Sequence, residues 1–123
     1  MIRYLQATAD QGLILSPVPT ESLACYADAD FVGNWHKSTA STDPSTAKSR
    51  TGYVIMYAGC PILWISKLQT LIALSTTEAE YMALSQALRD VIPIMQLLNE
   101  LREKGIDVFS STPGVFCKAF EDN

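Results

Sequence analysis

The chain has 123 residues, enough for one domain with one core. An apolar content of 48% and a charged content of 18% are ordinary for a globular protein, and no apolar run is long enough to span a bilayer. A net charge of −4 counts against a simple basic nucleic-acid-binding module, but not against an enzyme that meets phosphates through bound cations.

The beginning of the chain lacks the basic-then-apolar pattern of a signal peptide. Cys25, Cys60 and Cys117 are far apart and form no CxxC, which argues against a disulfide frame or a zinc knuckle. Each reads as a small buried residue on a strand or turn, and a reducing, intracellular setting is expected.

Residues 2–9 have helical character, with Ile2, Leu5 and Ala9 as a short stripe. Residues 12–16 suggest a short strand, and Pro17 and Pro19 then break the chain. Residues 1–19 therefore read as the tail of an upstream element plus a linker, and the domain as residues 20–123.

Residues 23–31 form the first firm strand. Leu23, Cys25, Ala27, Ala29 and Phe31 alternate with Tyr26, Asp28 and Asp30, so the two acids share one face. Residues 33–50 read as a loop rich in Ser, Thr and Asp, with Lys37, Lys48 and Arg50 as its basic residues. Residues 51–58 and 61–66 are strands joined through Ala58, Gly59, Cys60 and Pro61, which suits a hairpin. Tyr53 and Trp64 on that hairpin are expected in the core. Residues 70–74 extend toward a helix.

Ser75 followed by Glu78 has the capping-box spacing, and the helix should run from residue 76 to the region of Gly105. Its expected core stripe is Leu84, Leu88, Val91, Met95 and Leu98. Glu80 falls four residues before Leu84, on the line of that stripe, whereas Glu78 points elsewhere and can serve the cap. Pro93 should kink or split the helix. Residues 110–114 read as a turn and 115–120 as a last strand, reached by a helical crossover and therefore parallel to its neighbour. The order is three strands as an antiparallel meander, a helix, and a parallel strand, which is an α/β mixed sheet.

Three acids stand where a site could be built: Asp28 on the first strand, Glu80 at the helix start and Asp122 at the end of the last strand. The carboxyl ends of parallel neighbours form a usual site crevice. Carboxylates without His or Cys suit hard cations such as Mg²⁺. Two such ions about 3.5–4 Å apart clamp an in-line phosphodiester cleavage. The plain alternative is that these are surface acids near element ends. Asp30 rivals Asp28 and Glu121 rivals Asp122, and alternation separates neither pair. His36 reads as a loop surface residue. Lys37, Lys48, Arg50 and Lys67 are either phosphate contacts or solvated loop charges.

Several motifs occur together in order. They are Tyr26-Ala27-Asp28-Ala29-Asp30-Phe31 with Gly33, then Ser49-Arg50-Thr51-Gly52-Tyr53-Val54, then Pro61-Ile62-Leu63-Trp64 with Ser66-Lys67, and then residues 73–81 around Thr77-Glu78-Ala79-Glu80-Tyr81. Together they resemble the ribonuclease H domain of copia-type retrotransposon polyproteins. Arg3-Tyr4-Leu5, Thr8-Ala9-Asp10 and Gly12-Leu13 resemble the tail of the reverse transcriptase region just upstream.

The resemblance implies a ribonuclease H-like fold with Asp28, Glu80 and Asp122 (followed by Asn123) as catalytic metal ligands. It implies an endonuclease, a hydrolase using two Mg²⁺ ions with Mn²⁺ as a substitute, that cuts the RNA strand of an RNA–DNA hybrid during reverse transcription of a transposable element. The implied partners are the hybrid and the reverse transcriptase region of the same polyprotein, with no membrane. The implied location is the cytoplasm or a virus-like particle, with the nucleus as an alternative. The family domain continues past the Asp-Asn pair with a further helix, a further strand and a fourth acidic ligand, so this chain is expected to be incomplete at its C-terminus. The competing expectation is a catalytically inactive remnant with the same fold and at most weak nucleic-acid binding.

Overall fold

The computed structural model describes residues 2–38, 41–108 and 114–121. A short helix, α1 (Ile2–Ala7), precedes β1 (Leu23–Asp30); a 3-10 turn at Pro44–Ala47 leads into β2 (Arg50–Tyr57) and β3 (Cys60–Leu68). The helix α2 (Thr76–Glu103) then crosses over to β4 (Cys117–Glu121). The four strands form one sheet in the order β3-β2-β1-β4. The β1–β2 and β2–β3 pairs are antiparallel and the β1–β4 pair is parallel. This is the mixed α/β sheet expected from the sequence, and it is consistent with a ribonuclease H-like fold.

Local chemistry accounts for most of the elements. In β1, Leu23, Cys25, Ala27 and Ala29 are buried while Tyr26, Asp28 and Asp30 are exposed, the period-two pattern of a strand covered on one face. The β2–β3 turn is the two residues Ala58 and Gly59, with φ of 51° and 73°. Two successive left-handed residues make the turn whose twist matches a hairpin, and glycine takes that conformation without a steric penalty. The Ala58 carbonyl also accepts from the Val18 N–H at 2.8 Å, which ties the N-terminal segment to this turn. The expected strand at residues 12–16 does not form, nor does the extended piece at residues 70–74 pair with the sheet. Leu13, Ile14 and Leu15 are exposed, and the segment is not part of the four-stranded sheet.

α2 begins as the sequence indicates. The Ser75 hydroxyl accepts from the Glu78 N–H at 3.1 Å, and the Glu78 carboxylate accepts from the Leu74 N–H at 2.7 Å. That second bond falls one residue earlier than a capping box would place it. The far end closes on Gly105 with φ 81°. There the Gly105 N–H donates to the Arg102 carbonyl at 2.9 Å and the Ile106 N–H to the Leu101 carbonyl at 3.0 Å, the paired bonds of a Schellman stop.

Two expectations for α2 need correction. Pro93 does not split it; the helix runs unbroken through Thr76–Glu103. Pro93 is exposed, so the carbonyl that loses its partner four residues earlier lies on the solvent side, where water can serve it. The buried line also differs. It is Ala79, Ala83, Ala87, Val91 and Leu98, while Leu84 is half-buried and Leu88 is exposed. Three alanines let the helix backbone approach the sheet closely, a fit that bulkier leucines would prevent. Glu80 consequently lies beside the buried line rather than on it.

The main core joins Leu23, Cys25, Ala27, Tyr53 and Ile55 of the sheet to Ala87, Val91 and Leu98 of α2. Tyr53 is buried as expected, but Trp64 is 66% exposed. Trp64 pairs with Val54, and both stand on the sheet face turned away from α2. Cys25 and Cys60 are buried, Cys117 is half-buried, and all three are free thiols. No helix among the described residues is long and apolar enough to cross a membrane.

Candidate active site

The first turns of α2 pack against the carboxyl end of β1. Ala29, which lies between Asp28 and Asp30, clusters with Ala73, Ala79 and Ala83, and Met82 packs against them. Ala79 immediately precedes Glu80. The strand end that carries Asp28 and the helical turn that carries Glu80 therefore meet at one end of the sheet, held by small side chains.

Asp28 is exposed on the face away from α2, opposite Gly52 of β2. It lines an open cavity of about 610 Å³ together with Tyr26, Gly52, Val54, Phe120 and Glu121. The Tyr26 and Phe120 rings stack there with centroids 4.9 Å apart. Glu80 is half-buried with its Oε2 enclosed, and it is not among the residues lining the Asp28 cavity. Asp122 and Asn123 lie outside the described residues. β4 is described to Glu121, which stands beside Ala27 of β1 and shares the cavity with Asp28.

Local geometry separates the rival acids on β1. A Cβ placed at Gly33 would overlap the Asp30 carboxylate. Asp30 is thus folded into the turn that follows the strand, whereas Asp28 faces the open cavity. Glu78 is engaged in the helix cap.

The basic residues gather at the same end of the sheet. Arg50 stands opposite Asp30 on one side and Leu68 on the other, and Lys67 stands opposite Thr51. Lys48 closes the 3-10 turn. Lys67 is exposed and the other two are half-buried. His36 and Lys37 are exposed in the preceding loop.

Among the described residues no group of three or more His, Cys, Asp or Glu side chains is placed to hold a metal. The donor chemistry of Asp28 and Glu80 is carboxylate oxygen alone, which fits a hard divalent cation.

A buried polar group beside Glu80 escapes any reading of periodicity. Gln69, 5% exposed, donates through Nε2 to the Thr51 hydroxyl at 3.1 Å and to the Ala79 carbonyl at 2.9 Å. Its backbone N–H donates to the Ser49 carbonyl at 2.8 Å. Ser49 is fully buried, and its hydroxyl accepts from the Val32 N–H, just past β1, at 3.3 Å. Nothing in the residue string marks Gln69, because an isolated Gln after a strand is ordinarily solvated.

No protein-family model and no solved structure matches the chain. It is 35% identical over 117 residues to the retrovirus-related Pol polyprotein from transposon RE2 of Arabidopsis thaliana. It is 38% identical over 104 residues to the corresponding polyprotein from transposon TNT 1-94 of Nicotiana tabacum. These matches cover 95% and 82% of the chain, but only 7% of each polyprotein. A third relative, secreted RxLR effector protein 161 of Plasmopara viticola, is 38% identical over 92 residues, which is 75% of the chain and 58% of that protein. The chain is thus similar to a region of retrotransposon Pol polyproteins and spans only a small part of their length.

Proposed function

From this homology to a region of retrotransposon Pol polyproteins, we propose that the chain is a ribonuclease H-like domain that hydrolyses the RNA strand of an RNA–DNA hybrid. The observation that carries this reading is the packing of the Glu80 turn of α2 against the Asp28 end of β1 through Ala29, Ala79 and Ala83. Asp28 and Glu80 would hold Mg²⁺ or Mn²⁺, with Asp122 as the third ligand. Bound divalent cations would supply an activated water and charge neutralisation at the leaving oxygen.

The chain's own residues have simpler tasks. Asp28, exposed beside an open cavity, can be reached by a backbone phosphate. Glu80, half-buried, offers a carboxylate carried on the second turn of α2. Lys48, Arg50 and Lys67 would contact hybrid phosphates, and that contact weakens as salt rises. The reverse transcriptase region of the same polyprotein would be the second partner, in an intracellular setting with no membrane.

The test is cleavage of a hybrid labelled on its RNA strand, with Mg²⁺ or Mn²⁺, by the wild type and by Asp28→Asn and Glu80→Gln. Cutting by the wild type that either substitution abolishes is the expected result. A folded wild type that leaves the hybrid intact would overturn the catalytic reading. It would favour a second one, an inactive domain with at most weak nucleic-acid binding.

A further inference from the structure

We infer that Gln69 is a positioning residue that sets the Glu80 carboxylate for metal binding by holding the peptide unit between Ala79 and Glu80; this rests on the reading of Glu80 as a ligand. The carbonyl that accepts from Gln69 Nε2 at 2.9 Å belongs to the planar unit whose nitrogen is that of Glu80. Fixing that plane fixes the base from which the Glu80 side chain departs. The carbonyl can only accept, so the Gln69 amide has one workable orientation toward it.

The anchor behind Gln69 reaches the strands that form the rest of the site. Its side chain also holds Thr51, the neighbour of Gly52, which stands opposite Asp28. Its backbone holds Ser49, whose hydroxyl accepts from Val32 at the exit of β1. Gln69 thus ties the start of β2 to the start of α2 through its side chain, and reaches the exit of β1 through its backbone and Ser49. Sliding of the helix start relative to the start of β2, the strand paired with the Asp28 end of β1, must break one of the side-chain bonds.

Stability alone does not explain a Gln here. Oε1 of Gln69 is buried with no hydrogen-bond partner among the described residues, an arrangement that costs free energy. The Ala79 carbonyl lies in the first turns of α2 and keeps its helix-ladder bond when Gln69 is absent, because Gln69 occupies only its second lone pair. A leucine of similar size would remove the orphaned acceptor and keep the core filled, while leaving the buried Thr51 hydroxyl without its Gln69 donor. What it would lose is the tie between the sheet and the Glu80 peptide.

The test uses the full chain of 123 residues as wild type, Gln69→Leu and Gln69→Met. Mn²⁺ affinity is measured by calorimetric titration, alongside thermal melting and hybrid cleavage. The expected result is a weakening of Mn²⁺ binding by about 10-fold or more, as for other groups that orient a metal ligand, with a modest fall in melting temperature from the unpaired Thr51 hydroxyl and a folded chain retained. A merely structural residue would shift melting without a selective loss of affinity. Folded variants that bind Mn²⁺ like wild type and still cut the hybrid would sink the positioning role and leave the ribonuclease reading standing. Failure of both variants to fold would make Gln69 structural and overturn the inference. A folded wild type that neither binds Mn²⁺ nor cuts the hybrid would overturn the ribonuclease reading itself, and this inference with it.

Discussion

Tyr53 joins the sheet to α2 by a polar contact inside an otherwise apolar interface. Its hydroxyl donates to the Asp90 carboxylate. Burial, and then the bond and charge of Asp90, push the phenol up from 10.0 to about 12, with Gln86 opposing in part. A raised folded-state value means that the neutral phenol is the form that folding favours. Its contribution is fully present below pH 10 and is lost as pH rises toward about 12. Urea unfolding of Tyr53→Phe should therefore show a shallower fall in stability across that window than wild type. At neutral pH the same substitution should cost about 1–2 kcal/mol, because Asp90 is left half-buried without its donor. A wild-type slope unchanged by the substitution would refute the assignment. Burial also raises the thiols of Cys25 and Cys117, the latter to about 11, so neither behaves as a reactive thiolate at neutral pH.

At the scale of the element, α2 explains why a pattern can be right about a helix and wrong about its face. The cap at Ser75 and the stop at Gly105 depend on neighbours within a few residues, and both were legible. The buried line depends on what approaches the helix, and leucine outranks alanine on any hydrophobicity scale. The sheet instead selects Ala79 and Ala83, which pack with Ala29, and Ala87, which packs in the main core, since small side chains let the helix approach the sheet. Pro93 tests the same element. It interrupts the ladder on the exposed side and leaves the helix continuous. Pro93→Ala should restore one backbone bond and raise stability by about 1–3 kcal/mol, measured as a higher melting temperature. A lower melting temperature would mean that the proline is favoured by packing rather than tolerated.

For the whole molecule, the governing fact is a sheet with α2 on one face. Tyr26, Phe120, Ile62 and Trp64 are all at least 45% exposed, and they alternate with residues that face α2. Trp64 was expected in the core because large aromatics usually are. On this face it has little to lose, and Trp64→Gln should change the unfolding free energy by no more than about 0.5 kcal/mol in a denaturant titration. A loss of several kcal/mol would place Trp64 in packed structure after all. Exposed apolar surface of this extent is also a liability for self-association.

The amino-acid sequence by itself determined the four strands of the sheet, the hairpin turn, the helix ends and the parallel placement of β4, though it also suggested a strand at residues 12–16 that does not form. Each follows from spacing, turn chemistry or the length of a crossover, which are local or topological constraints. It also carried the resemblance that picks out Asp28, Glu80 and Asp122 from their rivals. The tertiary structure decided which helix face is buried, which side of the sheet Trp64 occupies and how deeply Glu80 is set. It alone revealed that Gln69 is buried and ties the sheet to the Glu80 turn. Those features depend on how a second layer docks onto the first, and docking is settled by close packing among residues distant in the chain.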